Sequence, residues 1–393
     1  MKSVAVIGAS LAGARAAQEL RAQGFDGRVV LVGEEPHRPY DRPPLSKAFL
    51  AGTAERESLD LLDEEDAASL ELRLGTRAER LDPAAGRVVL SDGELAVDGV
   101  VIATGGRART LPAAAGVAGV HVLRTLEDSV ALREELVPGA RAVIVGAGFV
   151  GAEVASTARA LGLDVTVLEA LETPLARVLG PELARACSGL HARHGTTLRC
   201  GAVVETLLTA GDGPRRRVTG VRLAGGERLP ADVVVVGIGM VPATGWLAGS
   251  GLELGNGVHT CGGLVTSRPN IVAVGDVAAY AHAETGARHR HEHWTNAVEQ
   301  APVAVANLLA GKVVRPYVPS GYVWSDQYSG TLQLAGHPEP GDEVVFVEGS
   351  AGDDAFVATY RRAGATVGVF ALNRAKQFTR LRRQALRRPA SVA

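Results

Sequence analysis

A short strand, a glycine-rich turn and a helix occur twice in this chain, and this repeat constrains the fold more than any other feature. In the first copy an apolar run at 4–7 is followed by a small-residue turn at 8–13 and by a helix predicted over 14–22. Unpaired backbone N–H groups and the helix dipole at such a turn bind a pyrophosphate. The residues predicted to hold this first dinucleotide are Gly8, Ala9, Ser10, Ala12 and Gly13.

The second copy matches the dinucleotide-binding pattern more completely. An apolar run at 142–145 leads into Gly-Ala-Gly-Phe-Val-Gly at 146–151 and then into a predicted helix. Glu169 ends the following predicted strand, 23 residues after Gly146, where an acid binds the adenosine ribose. A carboxylate there repels a 2′-phosphate, which favours NADH over NADPH. The residues predicted to bind this dinucleotide are Gly146, Gly148, Phe149, Val150, Gly151, Glu169, Gly237 and Gly239.

Acids also follow two other predicted strands. Glu34 and Glu35 come about 26 residues after Gly8, at the end of the strand predicted over 28–33. Their position favours a ribose-binding role, and a pair of surface loop acids is the alternative. Asp276 ends the strand predicted over 270–276 and is interpreted as a helix N-cap, a ligand of a ribityl chain, or both.

A proline-rich loop comes directly after the second predicted strand. Residues 36–47 contain four prolines, which stiffen an extended backbone. The loop carries Arg42 and Lys47, which can hold positive charge beside a phosphate or a flavin ring. A solvated basic linker is the alternative interpretation.

These patterns predict an α/β fold with two Rossmann-like dinucleotide-binding domains and a C-terminal α+β domain with an antiparallel sheet. The first domain is predicted over 1–112 and 241–316 and the second over 113–240. The C-terminal domain is predicted over 317–393, with short strands at 323–328, 331–334, 343–347, 355–360 and 366–372.

Composition excludes several classes of protein. Lys plus Arg number 41 and Asp plus Glu 43, so the net charge of −2 gives no reason to expect nucleic acid or an anionic membrane. No transmembrane helix, secretory signal or metal site is expected. The three cysteines, Cys187, Cys200 and Cys261, form no C-x-x-C, which argues against a redox-active dithiol and favours a reducing cytoplasm.

Several motifs together resemble those of the FAD-dependent ferredoxin reductases of oxygenase systems, a family that includes putidaredoxin and rubredoxin reductases. The resemblance covers essentially the whole chain and implies a glutathione-reductase-like arrangement of the two dinucleotide-binding domains. The motifs that carry it are Pro-Tyr-Asp-Arg-Pro-Pro-Leu-Ser-Lys at 39–47, Thr-Gly-Gly at 104–106, the second glycine turn through Glu153, Gly-Asp at 275–276, Trp-Thr-Asn-Ala-Val-Glu-Gln at 294–300 and Trp-Ser-Asp-Gln-Tyr at 324–328.

The resemblance implies FAD in the N-terminal domain and NADH, the electron donor, in the inserted one. It also implies that Lys47 and Glu153 lie near the flavin N5 and the nicotinamide, with Trp324 near the isoalloxazine. A surface ion pair is the alternative for Lys47 and Glu153. The residues that the resemblance adds to the FAD site are Arg42, Lys47, Ala78, Arg124, Asp276, Glu292, His293 and Trp294.

Without a dithiol, electrons are expected to leave singly, to an iron–sulfur ferredoxin that serves a cytochrome P450 or a Rieske-type oxygenase. An NADH oxidase or diaphorase, or a redox-signalling flavoprotein like apoptosis-inducing factor, is the alternative. Both a monomer and a homodimer remain open.

A basic helix predicted over 374–388 is a candidate docking surface. Its seven basic residues are accompanied by no acid, and Arg374, Arg380, Arg383 and Arg387 recur at near-helical spacing. A solvated face of a helix that packs through Phe378, Leu381 and Ala385 is the alternative.

Overall fold

A computed structural model describes residues 1–282 and 286–385. The chain forms two compact units. The first consists of Met1–Asp41, Arg56–Arg107 and Met240–Pro319, and the second of Arg42–Glu55, Ala108–Gly239 and Ser320–Ala393. The predicted division into three domains stays a prediction.

The first unit is built on a parallel sheet. Its five strands lie in the order Ile271–Ala273, Gly99–Ile102, Ser3–Ile7, Arg28–Val32 and Glu71–Arg73. All adjacent pairs are parallel, with Val6 opposite Leu31 on one side and Val101 on the other. Near-continuous apolar strands such as these are buried on both faces.

Helices and a smaller sheet cover the two faces of that sheet. The helices Leu11–Ala22 and Trp294–Ala310 pack on the face that presents Val4, Val6 and Leu31. The opposite face packs on an antiparallel sheet of three strands, Ala78–Asp82, Arg87–Leu90 and Gly93–Ala96. Further elements of this unit include the helix Glu64–Ala68, the strand Met240–Pro242 and the strands Leu254–Gly255, Gly257–Thr260, Ala278–Ala281 and Arg288–His289.

The second unit repeats the parallel layout. Its sheet has the order Thr197–Arg199, Asp164–Leu168, Arg141–Val145, Val233–Val236 and Val120–His121. This unit also contains two helices, Leu126–Glu135 and Phe149–Ala160. Three antiparallel strands belong to it as well: Val204–Ala210, Arg217–Leu223 and Arg228–Pro230. A further short strand is Gly106–Ala108.

The C-terminal part of the second unit is an antiparallel sheet, as predicted. Its strands lie in the order Val323–Gln327, Gly330–Gly336, Ala365–Leu372, Phe356–Arg362 and Glu343–Glu348. The helix Ala176–Arg193 packs through Leu183 and Leu190 against Phe356 and Phe370 of this sheet. The helix Ala375–Ala385 packs through Phe378 against Val357 and Val369.

Several element boundaries differ from the prediction. The first helix begins at Leu11 rather than at residue 14, because Ser10 is its extended N-cap residue. Two of the longer helices were not predicted. One is Ala176–Arg193, which is interrupted by Gly180 (φ 72°) and Pro181. The other is Leu126–Glu135, which begins with a capping box between Thr125 and Asp128.

The basic C-terminal segment is helical from Ala375 to Ala385. Arg374 precedes the helix and pairs with Glu348 (Nε–Oε1 2.7 Å), so it does not belong to the predicted basic stripe. Arg387 and the end of the predicted helix lie outside the described residues. Across residues 1–282 and 286–385 there is no helix with the length and apolar character needed to cross a membrane.

Candidate functional site

The first glycine turn closes tightly around two obligatory glycines. Gly8 has φ +114°, and a Cβ atom there would lie 2.2 Å from the Ala103 carbonyl oxygen. A Cβ on Gly13 would lie 1.8 Å from the Gly8 carbonyl oxygen. Ser10, between them, has φ −124°, an extended conformation that serine adopts without strain. The turn is therefore complete although the usual second glycine is a serine.

Glu34 and Glu35 follow the strand Arg28–Val32, whose Val32 carbonyl accepts a 2.8 Å hydrogen bond from the Gly8 N–H. Glu34 is exposed and pairs with Arg107 (3.2 Å). Glu35 is partly buried and accepts a hydrogen bond from the Tyr40 hydroxyl. The two acids thus share one edge of the sheet but differ in environment.

The turn at Gly275 lies against the N-terminal part of the first helix. Gly275 has φ +74°, and a Cβ there would lie 2.8 Å from the Ala12 Cβ. The Gly275 N–H donates to Oε1 of the fully buried Gln300 (2.7 Å). The interpretation of Asp276 as a helix N-cap is wrong, because Val274 is the N-cap residue of a short 3₁₀ turn that leads into a strand.

The segment 292–294 lies beside Asp276. His293 is the N-cap residue of the helix Trp294–Ala310, and burial lowers its pKa while the Asp276 charge acts in the opposite direction. Glu292 pairs with Arg290 (2.7 Å). The Trp294 indole N–H donates to Asp41 (2.8 Å). Ala78, predicted for the same site, begins its strand just after Thr76, whose N–H donates to the Gly33 carbonyl.

The second glycine turn has the same obligatory glycines and, in addition, an open middle position. A Cβ on Gly146 (φ +102°) would lie 2.4 Å from the Gly237 carbonyl oxygen, and one on Gly151 would lie 2.0 Å from that of Gly146. Gly148 is the N-cap residue of the helix, and a Cβ there would meet no atom within 4 Å. The backbone can therefore approach a ligand closely at Gly148.

A cleft of about 460 Å³ lies in front of this turn. Phe149 and Val150 begin the helix that starts there, and 46% of Val150 is exposed. Among the residues that line the cleft are Gly146, Gly148, Glu169, Arg177, Gly237 and Gly239. Arg177 was not predicted, because no helix was expected over Ala176–Arg193.

Backbone N–H groups hold both oxygens of the Glu169 carboxylate. Its Oε2 accepts from the Ala147 N–H (2.9 Å) and its Oε1 from the Leu171 N–H (2.9 Å). Burial, together with the Glu169 charge, raises the pKa of Cys200. Each carboxylate oxygen retains a lone pair that can accept from a ribose hydroxyl.

Lys47 and Glu153, 106 residues apart in sequence, form a partly buried ion pair. The Lys47 Nζ lies 2.7 Å from Glu153 Oε2, and 22% of the lysine and 7% of the glutamate side chain are exposed. Glu153 also accepts from Ser46 through Oε2 (2.6 Å) and from Ser325 through Oε1 (2.6 Å). The alternative of a surface ion pair is therefore wrong. Both serines lie in the quoted motifs, but no local pattern signals a partner so distant in sequence.

Arg42, Arg124 and Trp324 lie in the second unit with Lys47. The Arg42 guanidinium donates to the Arg124 carbonyl oxygen. Trp324 is in the strand Val323–Gln327, and its ring stacks on that of Tyr322 (centroids 5.9 Å apart). The first glycine turn, Asp276 and Trp294 belong to the first unit.

Both turns fit a dinucleotide. Each has a strand, a positive-φ first glycine, a third glycine packed on the first, and acids at the end of the neighbouring strand. Two such turns in one chain are typical of oxidoreductases that bind two dinucleotides.

Comparisons with known proteins identify the family. The family described as pyridine nucleotide-disulphide oxidoreductase matches residues 2–301, and the one described as reductase C-terminal matches residues 322–392. Rhodocoxin reductase of Rhodococcus erythropolis is 40% identical over 90% of this chain and 82% of its own length. Putidaredoxin reductase of Pseudomonas putida is 38% identical over 96% of this chain and 90% of its own length.

Two solved structures of similar reductases match this chain over most of its length. The covalent putidaredoxin reductase–putidaredoxin complex matches with a TM-score of 0.91 and 36% identity over 97% of this chain and 92% of that one. The ferredoxin reductase for the CYP199A2 system from Rhodopseudomonas palustris matches with a TM-score of 0.89 and 35% identity over 96% of this chain and 93% of that one. The chain belongs to the pyridine nucleotide-disulphide oxidoreductase family and, within it, to the FAD-dependent ferredoxin–NAD(+) reductases.

The predicted family, fold class and cofactors are thereby confirmed. The protein is an FAD-containing oxidoreductase with NADH as electron donor. Although the family is named for disulphide chemistry, Cys187, Cys200 and Cys261 are all free thiols. The individual residues assigned to the two cofactors stay predictions.

Proposed function

We propose that this reductase passes electrons from NADH through FAD to an iron–sulfur ferredoxin that serves a cytochrome P450 or a Rieske-type oxygenase. The observation that carries the proposal is the partly buried Lys47–Glu153 pair in a chain without a dithiol. Among the relatives, one is named for the biphenyl dioxygenase system and one solved structure for a CYP system.

FAD, when bound, supplies the redox chemistry: a flavin can accept a hydride and give up its electrons one at a time. The chain's own residues would bind it through the turn 8–13 and would bind the ribose through Glu34 or Glu35. Asp276 would accept from the ribityl chain, while the segment 292–294 would lie along the ring.

Glu153 and Lys47 would orient the nicotinamide. Glu153 lies in the helix whose N-cap residue is Gly148, so the helix that would support the pyrophosphate of NADH also carries this carboxylate. A carboxylate and an ammonium 2.7 Å apart give the nicotinamide amide one acceptor and one donor of fixed position. The pair would also balance charge as the hydride leaves NADH.

Glu169 supports NADH as the preferred donor. Its carboxylate lies at the end of the strand Asp164–Leu168 and faces the cleft. A 2′-phosphate would place a second anion beside it, which is unfavourable in a partly desolvated site.

The exposed basic residues of the C-terminal helix favour an acidic ferredoxin as the partner. Lys376, Arg380 and Arg383 are exposed and four and three residues apart, so they lie on one helical face. Phe378 is buried against the sheet and Leu381 packs there too, which leaves the basic face to solvent. A positively charged face increases the association rate of an acidic ferredoxin. In the proposal the helix packs on the sheet through Phe378 and Leu381, and its exposed basic face docks the ferredoxin.

The proposal is tested by stopped-flow reoxidation of the NADH-reduced protein. Reoxidation by a [2Fe–2S] ferredoxin should be much faster than by oxygen. Reoxidation by oxygen at least as fast as by every ferredoxin tested would support the oxidase or diaphorase instead. Slow reoxidation by all acceptors, with a change in oligomeric state on reduction, would support the redox-signalling flavoprotein.

A cytoplasmic setting is part of the proposal. Cys200 and Cys261 are exposed free thiols, which persist in a reducing compartment. Localisation of a tagged full-length chain tests this.

A further inference from the structure

Ser325 connects the C-terminal sheet to Glu153. It lies in the strand Val323–Gln327, is fully buried and donates its hydroxyl to Glu153 Oε1 over 2.6 Å. The two residues are 172 positions apart. A buried serine with a carboxylate as acceptor forms a charge-assisted hydrogen bond, which is stronger than a neutral one.

A neighbouring amide holds the Ser325 hydroxyl in position. The Gln327 Nε2 donates to the Ser325 oxygen (3.2 Å), and Gln327 is itself buried. A carboxylate can only accept, so the Ser325 hydroxyl is the donor to Glu153, and the Gln327 N–H holds the serine oxygen in place from the other side. Ser46 differs, since its hydroxyl lies 2.6 Å from Glu153 Oε2 and 3.3 Å from the Pro43 carbonyl oxygen and can donate to either.

The donors divide between the two carboxylate oxygens. Oε2 pairs with the Lys47 ammonium and accepts a hydrogen bond from Ser46, whereas Oε1 accepts one from Ser325. Removal of the Ser325 hydroxyl would leave Oε1 buried without this donor, and the carboxylate would rotate to recover one. Rotation would move Oε2 away from Lys47.

We propose that Ser325, oriented by Gln327, is a positioning residue that fixes the Glu153 carboxylate in the orientation that receives Lys47. The C-terminal sheet is then part of the machinery for hydride transfer as well as a packing layer. The inference rests on the proposed role of the Lys47–Glu153 pair at the nicotinamide.

A double-mutant cycle of Ser325→Ala and Glu153→Gln tests the proposal. Ser325→Ala should slow the reduction of bound FAD by NADH about tenfold, mainly in kcat rather than KM. It should also lower the Tm of the apoprotein by about 3–6 °C. In the Glu153→Gln background both effects should shrink by more than half, because the carboxylate that Ser325 positions is absent.

Thr331→Val is the matched control. Its hydroxyl donates to Asp326 Oδ1 (2.8 Å) in the same strand pair, away from Glu153. The rate should stay unchanged and show no coupling to Glu153→Gln. Gln327→Met is a second variant, which keeps the side-chain volume and removes the orienting N–H. It should slow FAD reduction less than Ser325→Ala does. Combined with Ser325→Ala, it should slow FAD reduction no further than Ser325→Ala alone.

Equal effects of Ser325→Ala in both backgrounds would overturn the proposal, because Ser325 would then support the sheet alone. Failure of the proposed function is distinguishable from this. If Glu153→Gln by itself left the rate of FAD reduction unchanged, the pair would have no role in hydride transfer. The Tm cycle of the apoprotein would still decide whether Ser325 positions Glu153.

Discussion

The Glu169 carboxylate accepts a 2.9 Å hydrogen bond from the backbone N–H of Ala147, the residue between the first two glycines of the second turn. The acid predicted to bind the ribose therefore also ties the glycine turn to the end of the neighbouring strand. Its second oxygen holds the Leu171 N–H in the same way (2.9 Å). Substitution of Glu169 consequently affects both the discrimination between cofactors and the shape of the turn.

Glu169→Ala should raise KM for NADH and reduce the preference for NADH over NADPH by about tenfold or more. The loss of a negative charge removes repulsion of the 2′-phosphate, and the loss of two acceptors weakens ribose binding. Measurement of kcat/KM for both donors checks this. Glu169→Gln separates the effects, because it keeps acceptor oxygen while removing the charge. An unchanged ratio in both variants would remove the basis for NADH preference.

Lys47→Met should slow the reduction of FAD by NADH by about tenfold to a hundredfold, because it removes a positioned donor. It should also destabilise the protein, since Glu153 remains buried without its counter-ion. The double variant Lys47→Met/Glu153→Gln should recover stability but not rate. Lys312→Met, at an exposed position, is the control. A wild-type rate of FAD reduction in Lys47→Met would contradict the role of the pair.

The sequence predicted those parts of the fold and site that depend on local spacing. Strand, glycine turn and following acid are contiguous, so spacing alone places Gly146 and Glu169. Glu153 and Ser325 could not be paired, because their contact depends on how a helix and a strand far apart in sequence pack together. The helix Ala176–Arg193 was missed for a different reason, since Gly180 and Pro181 are ordinarily helix breakers.

Charge reversal on the C-terminal helix should weaken the ferredoxin reaction specifically. Arg380→Glu and Arg383→Glu together should raise KM for an acidic ferredoxin by about tenfold at low salt, with a smaller difference at high salt. Reduction of ferricyanide by NADH should not change. Arg361→Glu, at an exposed position of the C-terminal sheet, is the control. Equal effects of the helix and control variants would leave the basic face a solvated surface.

Ser10→Gly should leave FAD affinity unchanged or lower it. Ser10 adopts φ −124° at the N-cap position, where glycine offers no conformational advantage and costs entropy on folding. Titration of the apoprotein with FAD, followed by flavin fluorescence, measures the Kd. Ser10→Ala reports the contribution of the hydroxyl alone. A much tighter Kd in Ser10→Gly would show that the serine is a steric compromise at the pyrophosphate.

The stability of the apoprotein should fall as pH decreases from about 6.5 to 4, in part through His191. Burial lowers the pKa of His191 to about 4, and its Nδ1 lies 2.7 Å from the Tyr328 hydroxyl. Burial raises the pKa of Tyr328 to about 12, so the tyrosine stays neutral throughout this range.

The sign of this pH dependence is set by proton uptake at His191. Below pH 6.5 the unfolded chain binds a proton at His191 that the folded protein does not bind until about pH 4. Unfolding is therefore favoured by acid, with a loss of about 2 kcal/mol from this group between pH 7 and pH 5. His191→Gln should lose correspondingly less stability over that interval in urea unfolding. His337→Gln, at an exposed position, is the control. If His191→Gln and wild type lost equal stability between pH 7 and pH 5, His191 would not be the buried neutral group that the structure indicates.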